Sequence, residues 1–197
     1  MASTSNKGFL LVLMNCPPTL EDEFNAWYDT EHVPEWLSVP GFLSARRFIC
    51  VDGHPKYLAM YDLTGPDVLD SPAYLKVGLG NSSPWTKRVT SRVTVWRSAG
   101  WQVWPGPLVT GTCARLSLLR FRGLEAKAER DIVAGLETNF AGRPETVQTR
   151  LLAYDSGKGI DFLGIVEARA PASAALDPKA FGRHADALDM VNTYAPY

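Results

Sequence analysis

Cysteine is scarce, with three in 197 residues, at positions 16, 50 and 113. An odd number at wide spacing makes neither a disulfide framework nor a metal-ligand pattern, and it points to a reducing, cytoplasmic setting. An excess of one charge is also missing. The formal net charge is −1, and acids and bases are mixed along the chain with no basic stripe and no acidic tail. Such a chain sets up no long-range field for nucleic acid or an anionic membrane, so neither is an expected partner. Long hydrophobic runs are absent as well. The first residues, MASTSNK, are polar, and the apolar run after them, GFLLVLM, is too short for a signal peptide or a spanning helix. No phosphate-binding glycine loop, nucleophile elbow or metal spacing occurs. Nucleotide-dependent and metal-dependent chemistry are therefore not expected, and no cofactor is implied.

What the chain does have is apolar residues, 46% of the total. That is enough to build a core for one large domain or two small ones of roughly 100 residues each. Residues 8–14 suit a strand buried on both faces. After Pro17-Pro18, Thr19 stands in N-cap position with Glu21, Asp22 and Glu23 in the first turn, where the helix dipole favours acids. This helix is expected from about Leu20 to Val33, where Pro34 stops or kinks it. Phe42–Val51 and Lys56–Leu63 read as a hairpin around Asp52-Gly53. A second helix near 66–78, a shorter helical piece and a strand from about Arg92 toward Trp104 complete a β-α-β-β-α-β order, the ferredoxin-like unit.

PGPLVTG, at 105–111, is a natural boundary, and the order then recurs. Cys113–Phe121 reads as a strand, Leu124–Phe140 as a helix, Thr146–Tyr154 and Asp161–Ala168 as a strand pair, and Leu176–Met190 as a helix. The two strand pairs lie about 103 residues apart, which puts Arg150 at the place of Arg47. The expected domains are 1–104, carrying the site, and 112–197, a degenerate repeat. A ferredoxin-like unit covers one face of its sheet with helices, so the other must be buried elsewhere. The expected fold is α+β, with tandem repeats closing a barrel within one chain. Homodimerisation is left open.

The densest stretch is Phe24–Phe48, FNAWYDTEHVPEWLSVPGFLSARRF. Its Trp27-Tyr28, Glu31-His32 followed by Pro34, Pro40-Gly41-Phe42 and Arg46-Arg47-Phe48 resemble the EthD-like branch of the dimeric α/β-barrel superfamily. The resemblance covers about residues 8–100. It implies the fold and leaves the activity open, since that superfamily includes cyclases, isomerases, haem-degrading monooxygenases and ligand-binding modules.

On a helical wheel of about 100° per residue, Leu20, Phe24, Trp27 and Tyr28 share one face. Glu31 falls within that face and His32 at its edge, while Asp29, Val33 and Trp36 point elsewhere. Glu31 on an apolar stripe needs a partner, and Arg46 or Arg47 on the next strand would form a structural ion pair with it. Strand alternation groups Arg47 with Leu43, Ala45, Ile49 and Val51, and Arg46 with Phe42, Ser44 and Phe48. His32 suits a general acid or base. Tyr57 and Tyr61, which share a face of the returning strand, suit oxyanion stabilisation. Trp27, Tyr28, Arg46 and Arg47 are the candidate substrate-binding residues. The first functional expectation is cofactor-independent acid/base catalysis on a small apolar or aromatic oxygenated metabolite, of cyclase, isomerase, dehydratase or lyase type. The second is a non-catalytic protein binding such a molecule. The third is a haem-dependent oxygenase with His32 or His184 as axial ligand.

Overall fold

A computed structural model describes residues 6–78 and 81–197. Eight strands close one antiparallel barrel. In chain order they are β1 (Gly8–Asn15), β2 (Phe42–Asp52), β3 (Tyr57–Leu63), β4 (Thr94–Trp104), β5 (Arg115–Leu124), β6 (Thr146–Asp155), β7 (Ile160–Ala168) and β8 (Leu188–Pro196). Around the barrel they run β1-β3-β2-β8-β5-β7-β6-β4. Each half thus contributes four strands in the same spatial order, 4-1-3-2 and 8-5-7-6, as two ferredoxin-like sheets do. Helices lie outside: α1 (Glu21–Trp27), α2 (Val33–Leu37), α3 (Pro72–Val77) and α4 (Pro84–Thr90) on the first half, and α5 (Glu129–Phe140) on the second.

The alternation of strand side chains divides the core into three layers. On β1, Phe9, Leu11 and Leu13 enter the barrel, while Leu10, Val12 and Met14 meet the helices of the first half. That division is why the run is apolar throughout. The barrel is filled by side chains from both halves, among them Phe48, Leu58, Met60, Leu116, Leu118, Leu163 and Ile165. The halves join over short ladders, β2 with β8 and β4 with β6. At the second junction a Cβ on Gly100 would lie 2.1 Å from the Ala153 carbonyl oxygen, so only glycine permits this approach.

One end of the barrel interior is polar. Arg150, fully buried, donates from Nη1 to Asp62 Oδ1 at 2.7 Å and from Nη2 to Glu167 Oε1 at 3.3 Å and Thr110 Oγ1 at 2.6 Å. The segment between β4 and β5 closes over this end. There the Thr110 amide donates to Asp62 and the Gly111 amide to Glu167. Burial acts to raise the Asp62 carboxyl, but Arg150 and the hydrogen bonds from Ser44 and Thr110 hold it below the usual carboxylate range.

Several elements differ from the sequence expectations. Helical structure continues through Pro34 to Leu37, because Tyr28–His32 form a π turn in which the Val33 amide donates to the Tyr28 carbonyl. Residues 178–187 form 3-10 turns on either side of Gly182 (φ 55°) rather than one helix, and β8 follows them. The register of β2 shifts between Phe42 and Ser44, so Phe42 joins the helix-facing side with Ala45 and Ile49, not the side of Arg46. The interior pairing is Phe48↔Leu58 in one half and Leu152↔Leu163 in the other. The counterpart of Arg150 is therefore Arg46, not Arg47.

Replacing Arg150 with leucine leaves two buried carboxylates without their cation. We expect a loss of roughly 3–5 kcal/mol in urea unfolding. Lys127→Ala, which removes an exposed pair with Glu125, should leave the midpoint unchanged.

Candidate functional site

The π turn decides which side chains of the opening helix are buried. It adds one residue to a turn, so every position after it is rotated by about 100° relative to a regular helix. Counted regularly from Phe24, Trp36 stands about 120° away; with one residue removed from the count it stands at about 20°. Trp36 and His32 accordingly lie under the helix at 7% and 8% exposure, and Glu31 turns toward α4. This reverses the wheel reading of Glu31 and His32.

Among the described residues Glu31 makes no ion pair with an arginine. Its carboxylate accepts from the Ser83 hydroxyl and, at 2.9 Å, from Thr86 Oγ1, which itself accepts from Trp27 Nε1 at 2.9 Å. Ser83 also caps α4, taking the Thr86 amide at 3.0 Å. Glu31 therefore fixes α4 against the first helix. The ion pair between helix and sheet is Arg47 with Asp29, and Arg47 Nη2 donates to Asn25 Oδ1 at 2.6 Å. The Arg47 guanidinium lies between two rings, 4.5 Å from that of Tyr28 and 4.1 Å from that of Tyr197. Arg46 is exposed and faces the other side of β2. The structure thus separates the two arginines, and only Arg47 belongs to the helix layer.

His32 sits in an aromatic cluster. It stacks on Trp27 at 4.3 Å, meets Tyr28 edge-on at 5.0 Å and lies against Trp36 at 4.7 Å. Trp36 reaches Tyr61 at 5.1 Å and Tyr74 at 5.4 Å. His32 and Tyr61 therefore border the same indole. Tyr57 is at the other end of the row, against Phe24 at 4.8 Å with its hydroxyl near Asn25, and it is not brought to His32. Three polar atoms in this layer, His32 Nδ1, the Tyr61 hydroxyl and Trp85 Nε1, are buried with no well-aligned hydrogen-bond partner among the described residues, the Tyr61 hydroxyl facing that of Tyr28. The Tyr28 hydroxyl donates instead to Met14 Sδ at 3.3 Å.

The environment sets the protonation states. Burial first, then the Arg47 charge, lowers the His32 pKa to about 3, so the ring is neutral at pH 7. Burial pushes Tyr28 up to about 12 and Tyr61 well above its ordinary value, which keeps both as hydrogen-bond donors. The layer thus presents a neutral imidazole nitrogen and a phenol to an apolar, aromatic surrounding. Sequence reasoning missed Trp36, Phe42, Tyr74, Ser83, Trp85 and Thr86. Ser83-Pro84 carries the signature of a capped helix start and was the one signal for α4.

No protein-family model and no curated protein sequence matches the chain. Solved structures do. An anthrone oxidase-like protein superposes with a TM-score of 0.68 at 13% identity, over 100% of this chain and 93% of its own. The chain has the dimeric α/β-barrel fold. A mutant chlorite dismutase of Candidatus Nitrospira defluvii matches with a TM-score of 0.64 at 8% identity, covering 99% of this chain and 92% of its own. A haem-binding protein of Thermus thermophilus matches with a TM-score of 0.53 at 11% identity, over 97% and 91% of the two chains. At these identities the likeness concerns the fold.

Neither of the two histidines expected as axial ligands is placed to hold a haem. His184 Nε2 lies 3.1 Å from Asp131 Oδ2, beside Arg183. The layer under α5 is filled, and a Cβ on Gly135 would lie 2.2 Å from the Phe181 ring. His32 is enclosed by three aromatic rings. Among the described residues no three His, Cys, Asp or Glu side chains converge as a metal set. Among the described residues no helix is long and apolar enough to cross a membrane.

The His32 shift has a defined consequence for stability. Its folded pKa lies below the unfolded value of 6.5, so the unfolded chain takes up the proton first as pH falls. The contribution is complete above the unfolded pKa and is lost as pH falls toward the folded one. We expect on the order of 3 kcal/mol to be lost between about pH 7 and pH 4. In urea unfolding across that range, His32→Phe should show a shallower pH dependence than wild type.

Proposed function

We propose that the first-half helix layer binds a small, largely aromatic or apolar molecule carrying a carbonyl, and moves a proton on it without a cofactor. The observation that carries this reading is the pair of buried, unpartnered polar atoms, His32 Nδ1 and the Tyr61 hydroxyl, beside one indole. Each unpaired buried group costs roughly 1–3 kcal/mol, and a ligand that bonds to both recovers it. The rings are packed together, so a ligand gains its place by displacing one of them. Tyr74, on the short helix α3, is the cover nearest Trp36.

In the reaction, His32 Nδ1 takes a proton from a carbon next to the carbonyl or conjugated with it. The electron pair of that C–H bond moves toward the carbonyl oxygen, which becomes an enolate. The Tyr61 hydroxyl donates to that oxygen, and the Arg47 charge lies beyond Tyr28. Return of the proton to another position completes an isomerisation, and attack by the enolate carbon on a second carbonyl begins a cyclisation. A lone imidazolium is disfavoured in this layer, but one formed together with an enolate is half of an ion pair. The low pKa of His32 in the packed layer therefore suits a base that charges only as its substrate does. The resemblance of Trp27-Tyr28 and Glu31-His32 to the EthD-like branch is consistent with this reading. The anthrone oxidase-like neighbour suggests anthrone as a probe, since its acidic methylene lies across the central ring from the ketone and is conjugated with it through the fused aromatic rings, so that loss of its proton places the charge on the carbonyl oxygen.

Deuterium uptake into the anthrone methylene, followed by NMR in heavy water, tests the proposal. Wild type is expected to exceed the buffer rate, and His32→Gln to lose about 10²-fold or more of that enhancement. Equal rates for wild type and His32→Gln would remove the base assignment. Saturable binding of anthrone with no enhancement by wild type would make the protein a carrier instead.

A further inference from the structure

The approximate symmetry of the two halves leaves one cation without a partner. Ser44, Arg46 and Asp62 in the first half correspond to Gln148, Arg150 and Glu167 in the second, since Ser44 pairs with Asp62 and Gln148 with Glu167 in matching registers. Ser44 donates to Asp62 at 2.6 Å and Gln148 to Glu167 at 2.7 Å, so the correspondence extends to the hydrogen bonds. The arginines break it. Arg150 takes both acids, and the remaining carboxylate oxygens accept from Thr110 and Gly111. Among the described residues no carboxylate lies within ion-pair distance of Arg46.

Arg46 borders a pocket of about 300 Å³ at the place where β2 parts from β8. Its other walls include Val33, Phe48 and Cys113. Burial first, then Glu167, pushes the Cys113 thiol up to about 11, so this wall is uncharged at neutral pH. Asp29 also lines the pocket, but its carboxylate is held by Arg47. We propose that this pocket is a binding site for a small monocarboxylic acid with an apolar body, whose carboxylate pairs with Arg46. A guanidinium offers two parallel donors to one carboxylate. Arg47 lines the pocket too, but its charge is matched by Asp29, so Arg46 adds one net positive charge beside Val33 and Phe48, which favours a single negative charge over a phosphate dianion. The pocket straddles the edge of β2, reached by Arg46, Phe48 and Cys113 from the barrel side and by Asp29, Val33 and Arg47 from the helix side. His32 and Tyr61 are not among its walls, so the site stands independently of the function proposed for them.

Isothermal titration with benzoate, and with benzamide as its uncharged counterpart, tests this. Wild type is expected to bind benzoate saturably, at least about tenfold more tightly than benzamide, with affinity falling as salt is added. Arg46→Ala should weaken benzoate binding about tenfold or more, and Arg46→Lys should retain part of it. Arg46 is exposed and unpaired, so its removal should leave the melting temperature unchanged. Tyr61→Phe, altered in the helix layer, should bind benzoate as wild type does. Three results overturn the proposal: no saturable benzoate binding, equal binding by wild type and Arg46→Ala, or loss of binding in Tyr61→Phe with retention in Arg46→Ala.

Discussion

A four-stranded sheet with helices on one face must bury its other face, and the rest of this structure depends on that constraint. Strands such as β1 are apolar on both sides because each side is a core. The two bare faces close on one another as a barrel, and the side chains that fill it leave the interior to packing. The unpaired polar atoms of His32 and Tyr61 and the Arg46 pocket accordingly lie in two other places, the helix layer outside the barrel and the point where the halves join. The polar end of the barrel belongs to the closure itself. Arg150 comes from the second half and Asp62 from the first, and the segment between the halves supplies amides to both acids. A buried ion network of this kind contributes little net stability against an apolar alternative. It does penalise any arrangement in which the two halves are misaligned, because a shifted register strands a charge.

The barrel was legible in the sequence because it rests on periodicity and turn residues. GFLLVLM, the hairpin at Asp52-Gly53 and the recurrence of the strand pairs each report a local preference that the fold retains. The features that were not legible rest on insertions of a single residue. The π turn at Tyr28–His32 and the irregularity between Phe42 and Ser44 each shift the phase of the residues beyond them, and neither has a composition signal of its own. The first exchanged the places of Glu31 and His32, and the second moved Phe42 across its strand. The equivalence of Arg150 with Arg47 failed by one position for the same kind of reason. A strand period of two residues turns any such error into the opposite face. Strand β8 was missed differently. Leu188–Pro196 alternates only weakly in burial, and the 3-10 turns before it resemble a helix in composition.

The halves share a topology but not a chemistry. Under α5 the layer is aliphatic and phenylalanine-rich, with Gly135 admitting Phe181 to close contact. The corresponding layer of the first half holds two tryptophans, four tyrosines and a histidine among its buried residues. The first arrangement satisfies packing alone. The second retains polar atoms that packing does not satisfy, although phenylalanine would fill the place of Tyr61 without an unpaired hydroxyl.

The π turn links this layer to its electrostatics. By rotating the helix it places His32 on the sheet and leaves Asp29 beside Arg47, so that the acid compensates the cation and the imidazole does not. Arg47 can then lie between the Tyr28 and Tyr197 rings without drawing a carboxylate into the aromatic layer. The positive charge lowers the proton affinity of His32 while the layer holds no anion. An oxyanion formed there acts in the opposite direction on the same imidazole, and at short range in a surrounding of low dielectric. The proton affinity of His32 is thus governed by what occupies the layer, and a regular helix, with Glu31 in place of His32, would have put a carboxylate where that response resides.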